Sequence, residues 1–309
     1  MNTEVVTLGE AMRLLLAEPG VALRRAHTFQ SGVAGAETNV AVGLARLGHR
    51  VRWLSRVGDD SSGAAVLAAL RAEDVDVSQV ELDPDSFSGL LLRDTDTGRG
   101  IDVQYHREGS AASRLSAAYV REAGLGGARL VHVSGITAML SPSAREAVEA
   151  LFALARASGA KVSFDPNIRH KLGTPERWRQ VVAPLLGRAD LVFAGEDELE
   201  LLGQTADRLV EQGAQAVVVK QRNKVARAVT ADGSWWQESL VSKVVDTVGA
   251  GDAMTSGYLS AWLRGAKPDE ALRTGAVSAA LVVGTRTDLE GLPDRAELGR
   301  AAAGTEVDR

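Results

Sequence analysis

Val245-Asp246-Thr247-Val248-Gly249-Ala250-Gly251-Asp252 is the stretch from which the rest of the chain is read. The β-branched residues Val241, Val244 and Val245 lead into it. The helix after it, from about Ala253 to Arg264, is closed by Gly265 and Pro268, so the segment predicts strand, glycine turn, helix. Gly249, Ala250 and Gly251 carry little side chain, and their N–H groups can converge on an anion at the positive end of the helix macrodipole. Asp252 is the anomaly. A carboxylate at a helix start caps backbone donors, which is its plain structural role. Beside an anion hole it can also take the proton of a hydroxyl that attacks phosphorus, and one turn then holds both halves of a phosphoryl transfer.

Composition bounds the alternatives. At 309 residues, 45% hydrophobic and 24% charged, the chain suits one α/β domain with a substantial core. A net charge of −5 leaves no basic footprint for nucleic acid, although a local basic pocket can still bind an anion. The absence of cysteine excludes disulfides, thiolate metal sites and cysteine nucleophiles. His27, His49, His106, His132 and His170 have no ligand spacing, which leaves zinc hydrolysis unsupported. Glu4, Glu10 and Arg13 interrupt the N-terminal apolar residues, so no export signal is read there. No apolar run approaches the roughly 20 residues of a membrane span. A cytoplasmic protein without membrane contact is the expectation.

Outward from the glycine turn, Val5 to Leu8 reads as a buried strand. No Gly-x-Gly-x-x-Gly opens the helix after it, which argues against a dinucleotide-binding dehydrogenase. A helix follows Gly35 with Val40, Leu44 and Leu47 on one face and Gly48 as its stop; Val51 to Val57 is then a strand, and a further helix begins near Ser61. From Leu125 onward strands and helices alternate: Leu130 to Ser134, a helix after Ser141-Pro142, Lys161 to Phe164, a helix near Pro175, Leu191 to Phe193, a short helix from Glu196, and Ala216 to Lys220. This alternation specifies a mostly parallel sheet with helices on both faces, whose ligands collect at the carboxyl ends of the strands. Four short strands fall outside it, within residues of about 12–33 and 87–108, the second pair separated by the turn-rich 94–100. They cannot bury both faces alone. The tail after Arg300 is expected to fray.

Residues 246–259, DTVGAGDAMTSGYL, closely resemble the C-terminal signature of the ribokinase-like (PfkB) carbohydrate kinases, and matching motifs extend over most of the chain. The resemblance implies a ribokinase-like α/β fold and an ATP- and Mg²⁺-dependent sugar kinase with Asp252 as general base. It also implies that the four short strands form a lid over the sugar and pair with a second subunit in a homodimer. AGAETNVAVGLARLG resembles the family's sugar-touching segment, with Gly35 and Asn39 on matching positions and Ala34 in place of the first glycine. Asn39 by itself reads equally as a polar residue satisfying local backbone. Gly58-Asp59-Asp60 resembles the family's VGDDxxG motif.

Tyr105-His106-Arg107-Glu108-Gly109-Ser110-Ala111 looks like a segment of the 2-keto-3-deoxygluconate kinases in which the tyrosine and arginine hold the acid sugar. A guanidinium grips a carboxylate through two N–H bonds, which a neutral sugar does not require; a solvated surface arginine is the plainer reading. Asp165-Pro166-Asn167-Ile168-Arg169 resembles the family's Asp-x-Asn-x-Arg motif, which makes Arg169 a second substrate contact and Asn167 a nucleotide contact. It reads also as an ordinary Asx-type turn. Asp288, in Thr285–Pro293, occupies a position that reaches substrate in these relatives, where a loop acid is otherwise simply solvated.

Two places depart from the pattern. Gly195 stands where the family's Asn-x-x-Glu region has asparagine or serine, while Glu198 matches and implies a magnesium role through water; three acids in the first turn of a helix also satisfy its dipole. Arg222 and Val225 replace both glycines of a phosphate-covering loop, which predicts an altered loop conformation, with Lys220, Arg222 and Lys224 supplying charge to ATP. The function read from the sequence is phosphorylation of 2-keto-3-deoxygluconate at its 6-hydroxyl. A kinase for fructose or ribose, or a non-catalytic sugar-acid sensor with a degraded ATP loop, are the alternatives.

Overall fold

The computed structural model describes residues 3–95 and 100–303. Residues 96–99 of the turn between the second pair of short strands, and 304–309 of the tail, lie outside the described residues. In chain order the strands are β1 (Val5–Leu8), β2 (Met12–Ala17), β3 (Phe29–Ala34), β4 (Val51–Leu54), β5 (Arg56–Gly58), β6 (Glu81–Asp83), β7 (Leu90–Arg93), β8 (Val103–His106), β9 (Leu130–Ser134), β10 (Lys161–Asp165), β11 (Leu191–Gly195), β12 (Ala216–Lys220), β13 (Val225–Thr230) and β14 (Gly233–Glu238). The helices are α1 (Ala36–Arg46), α2 (Ser61–Ala72), α3 (Ala117–Ala123), α4 (Gly135–Leu140), α5 (Pro142–Ser158), α6 (Pro175–Leu186), α7 (Glu196–Leu202), α8 (Ala206–Glu211), α9 (Ala250–Leu263), α10 (Pro268–Val283) and α11 (Arg295–Ala303).

Eight strands form the central sheet in the order β4-β1-β9-β10-β11-β12-β13-β14, parallel from β4 to β12 and antiparallel at the last two. Period-2 alternation splits the strand residues between two cores: Val6, Val131, Val133, Val192 and Val217 pack on one face, Val5, Leu130, Leu191, Phe193 and Val218 on the other. The first core is covered by α3 to α8, the second by α1, α2, α9 and α10. Strands buried on both faces read as continuous apolar runs, which is why the sequence exposes them.

The four short strands form a second sheet in the order β3-β2-β7-β8. Leu14, Leu16 and Leu91 face inward and are buried, while Arg13, Leu15, Leu90 and Leu92 share the opposite face by register. The structure corrects three local expectations. No strand forms over Val241 to Val245; these residues are an irregular loop after β14, and Val244 is 59% exposed. The run from Val51 to Val57 breaks at Ser55, whose N–H is taken by the Tyr119 hydroxyl, and β5 leaves to pair with β6. Between the expected strand Leu130 to Ser134 and the expected helix after Ser141-Pro142, residues Gly135–Leu140 form the additional short helix α4. No helix among the described residues is long and apolar enough to cross a membrane.

One buried carboxylate sets the position of α1. Glu37, 1% exposed, accepts hydrogen bonds from the Ser134 amide and hydroxyl and the Thr137 hydroxyl at 2.6 to 2.9 Å, which ties the first turn of α1 to the end of β9. Burial raises its pKa against those hydrogen bonds. Glu37→Ala strands the three donors and leaves a cavity, so the expected cost is about 3 kcal/mol of unfolding free energy in urea titration.

Candidate active site

Asp252 sits in the first turn of α9, two residues inside the helix rather than at its cap. Gly249 caps the helix at φ 83°, a left-handed conformation available to glycine, and a Cβ there would lie 3.2 Å from the Asp288 Cα. Asp246 orders the turn from the other side by accepting the Val248 N–H at 2.9 Å. The amides of Gly251 and Asp252 occupy first-turn positions that have no intrahelical acceptor, the geometry of an anion site.

Three segments bring polar side chains around Asp252: α1, the 165–169 segment and the loop that carries Asp288. Asn39, on α1, donates to Asp252 Oδ2 at 2.7 Å and to Asp288 Oδ2 at 3.3 Å; Asn167, after β10, reaches Asp252 Oδ1 at 3.4 Å. Asn167 stands at φ 46°, a left-handed position that asparagine tolerates, and its own N–H is held by Asp165 at 2.9 Å. Gly35 places Asn39: it lies at an extended φ, yet a Cβ would meet the Glu10 carbonyl at 2.5 Å. Burial pushes Asp252 up to about 7, with Asp165 and Asp288 adding repulsion, against the Asn39 hydrogen bond and the charge of Arg169. Burial likewise raises Asp288, against Arg93 and Asn39. A general base works deprotonated, so kcat/KM is expected to rise with pH through about 7 and level off above it in a pH–rate profile.

On one side of the turn a cavity of 170 Å³ opens between α9, α10 and the β12–β14 corner, lined by Lys220, Lys224, Ala250, Gly251, Met254 and Ala276 among others. Lys220 Nζ donates to Asp165 Oδ2 at 3.2 Å. Burial works against the Lys220 charge, but Asp165, Glu198 and Asp252 together raise its pKa. A cation so held, beside free helix-start amides, fits a polyphosphate. Arg222 is not part of this cavity: its guanidinium is held outside by Glu200 at 2.6 Å. The expected change in the loop is also smaller than the missing glycines suggest. The left-handed position falls on Lys224, φ 64°, and neither Arg222 nor Val225 has a positive φ.

Glu198 reaches back over the start of α7, accepting from Gly195 N and Ile168 N at 2.6 Å each. Burial and Asp165 raise its pKa. Among the described residues no group of three acidic or histidine ligands could cage a metal. Two crowded carboxylates, Glu198 and Asp165, near the lysine-lined cavity nonetheless suit Mg²⁺, an ion that keeps several waters and needs few protein ligands.

On the other side, Tyr105, Arg107 and Arg169 line a cavity of 680 Å³ between β8 and the residues around α4. Lys171 and Arg177 line it too, cations that sequence reasoning missed because nothing marked them apart from surface charge. Arg107 and Lys171 both stand 5.7 Å from the Tyr105 ring centroid. Arg107 is paired with Glu10, a buried carboxylate that also accepts from the Ser110 hydroxyl at 2.5 Å. Asp252, Asn39 and Asp288 do not line this cavity; Arg169 connects the two, since its charge is felt by both Asp252 and Asp288.

Comparison with known proteins identifies the family and the fold. The family model described as pfkB family carbohydrate kinase matches residues 2–295. The chain is 38% identical over 308 residues to the 2-dehydro-3-deoxygluconokinase of Bacillus subtilis, covering 96% of this chain and 95% of that protein. It is 30% identical to the 2-dehydro-3-deoxygalactonokinase of Haloferax volcanii, covering 100% of both. A structure described as Ribokinase II from E. coli in complex with ATP and Mg²⁺ superposes with a TM-score of 0.89 at 26% identity, covering 98% of this chain and 100% of the other. The chain belongs to the pfkB family of carbohydrate kinases, and is a sugar kinase of ribokinase-like fold.

Proposed function

We propose that this kinase transfers the γ-phosphoryl group of ATP to the 6-hydroxyl of 2-keto-3-deoxygluconate. The observation that carries the reading is the position of Asp252, whose pKa lies near 7, between a lysine-lined cavity and Arg169. Asp252 takes the proton of the attacking hydroxyl. Gly251 and Asp252 present backbone N–H groups to charge developing on the transferred phosphate, and Gly249 sets the turn. The Ala250 N–H expected to join them is directed at the Thr247 carbonyl at 3.4 Å. Positioning and electrostatics carry the reaction. Lys220 and Lys224 hold the nucleotide phosphates, and Asn167 aligns Asp252 between nucleotide and sugar. Mg²⁺, when bound with ATP, neutralises charge on the phosphates, and Glu198 orders its waters.

Gly35, Asn39 and Asp288 orient the sugar hydroxyls. Arg169 receives the carboxylate, with Tyr105 and Arg107 shaping that end of the pocket. The apolar outer face of the second sheet, with Leu15, Leu90 and Leu92 in register, supports a homodimer through this sheet. A dimer mass by light scattering at micromolar concentration is the expected result; a monomer mass would count against it.

The test of substrate is ADP release from Mg-ATP with 2-keto-3-deoxygluconate, its galactonate epimer, gluconate, fructose and ribose. Selective turnover of 2-keto-3-deoxygluconate supports the assignment. Preference for the epimer corrects it within the acid sugars, and preference for fructose or ribose removes the role given to Arg169.

A further inference from the structure

Arg93 is the last residue of β7 and faces inward with Leu91, opposite Leu90 and Leu92. A basic residue at this strand end gave no signal in the sequence, yet its side chain is 2% exposed. Its guanidinium bridges two segments of the site. Nη1 donates to Asp246 Oδ2 at 2.5 Å, while Nη2 donates to the Arg286 carbonyl at 3.0 Å and to Asp288 Oδ1 at 3.4 Å. Arg286 in turn reaches the Ala17 carbonyl on β2, the strand beside β7, at 3.4 Å.

Each acceptor leads onward to the reacting groups. Asp246, through its other oxygen, fixes Val248 immediately before Gly249. Asp288, through its other oxygen, shares the Asn39 amide with Asp252. A single fork on the small sheet therefore holds both flanks of the glycine turn. Asp246 and Asp288 are 5% exposed each and carry like charges, so they stay side by side only while a cation lies between them. Lysine cannot replace this fork. An ammonium is a compact charge, whereas the planar guanidinium directs separate N–H groups at Asp246 and at the 286–288 segment.

Resting on the assignment of phosphoryl transfer at Asp252, we infer that Arg93 is a positioning residue for that transfer. Its fork sets the glycine turn and the Asn39–Asp252 pair in register with the sheet that covers the sugar, so acceptor hydroxyl and donor phosphate are held in line. It touches neither substrate and acts through Asp246 and Asp288.

The test compares wild type, Arg93→Lys and Arg93→Ala on whichever sugar of the panel the wild type phosphorylates. A wrong substrate and a wrong role for Arg93 then give different results. Arg93→Lys is expected to keep a cooperative melt and lose about 100-fold in kcat, the scale of an ångström-sized misplacement, while KM for ATP changes little. Arg93→Ala is expected to lose at least as much and to regain part of kcat in low-millimolar guanidinium chloride, with no gain in sodium chloride of equal ionic strength. Wild-type kcat in Arg93→Lys would overturn the inference. So would failure of both variants to fold, which would make the contact purely structural, or a folded Arg93→Ala that guanidinium does not restore.

Discussion

Asp252→Asn is expected to lower kcat about 10³-fold while KM for ATP and sugar stays within a few-fold. The amide is isosteric and its oxygen can still accept from Asn39, which now donates at 2.7 Å, so binding geometry survives and proton acceptance does not. The same substitution has a thermodynamic signature. Asp252 titrates at about 7 in the folded chain, above the ordinary carboxylate range, so the folded state binds the extra proton and its advantage is lost as pH rises from about 4 through 7. Asp252→Asn is therefore expected to melt higher than wild type at pH 8. A variant that loses stability at that pH while losing activity would point to a structural carboxylate, and one that retains turnover would remove Asp252 as the base.

Arg169→Met is expected to lower kcat/KM about 100-fold for an acid sugar, with little change for a neutral one. The basis is one charge-assisted contact of about 1.5–3 kcal/mol lost from the acid substrate alone. The comparison belongs above pH 8, because Arg169 also helps to keep Asp252 ionised. Arg169 is the sharper probe of the two arginines. Its guanidinium donates to its neighbour's carbonyl, that of Ile168 at 3.2 Å, whereas Arg107 is already matched by the Glu10 carboxylate and its side chain is 9% exposed. Removing Arg107 leaves Glu10 buried without its cation, so that variant mixes lost stability with lost specificity. Equal losses on acid and neutral sugars in Arg169→Met would move the carboxylate contact elsewhere, with Lys171 and Arg177 next in line in the same cavity.

The turn at Gly249 and the helix start that carries Asp252 could be read from the sequence because their requirements are local. A left-handed turn needs glycine, an anion site needs amides at a helix start, and both requirements are written in consecutive residues. The parallel sheet was legible for a similar reason: β1, β9, β11 and β12 are buried on both faces and read as largely apolar runs, broken inside only by Thr7 in β1 and His132 in β9. Lys224 shows where local reasoning stops. Glycines missing at 222 and 225 suggested a lost phosphate loop, but which residue takes the left-handed φ depends on how β12 and β13 pair.

Arg222 was assigned to the nucleotide by charge, and the fold turned it toward Glu200. The burial of Arg93, Glu10 and Glu37 escaped notice because a charged residue at a strand end, in a short connection or in a first helical turn is ordinarily solvated, and burial depends on segments far away in the chain. Their partners lie 153, 100 and 97 residues away at Asp246, Ser110 and Ser134. The sequence by itself determined the sheet and the glycine turn, since these follow from patterns within one element. Only the tertiary structure decided which charges are buried together, and hence which cations stay available to a substrate, because the cost of a buried charge is set by whatever partner the fold brings to it.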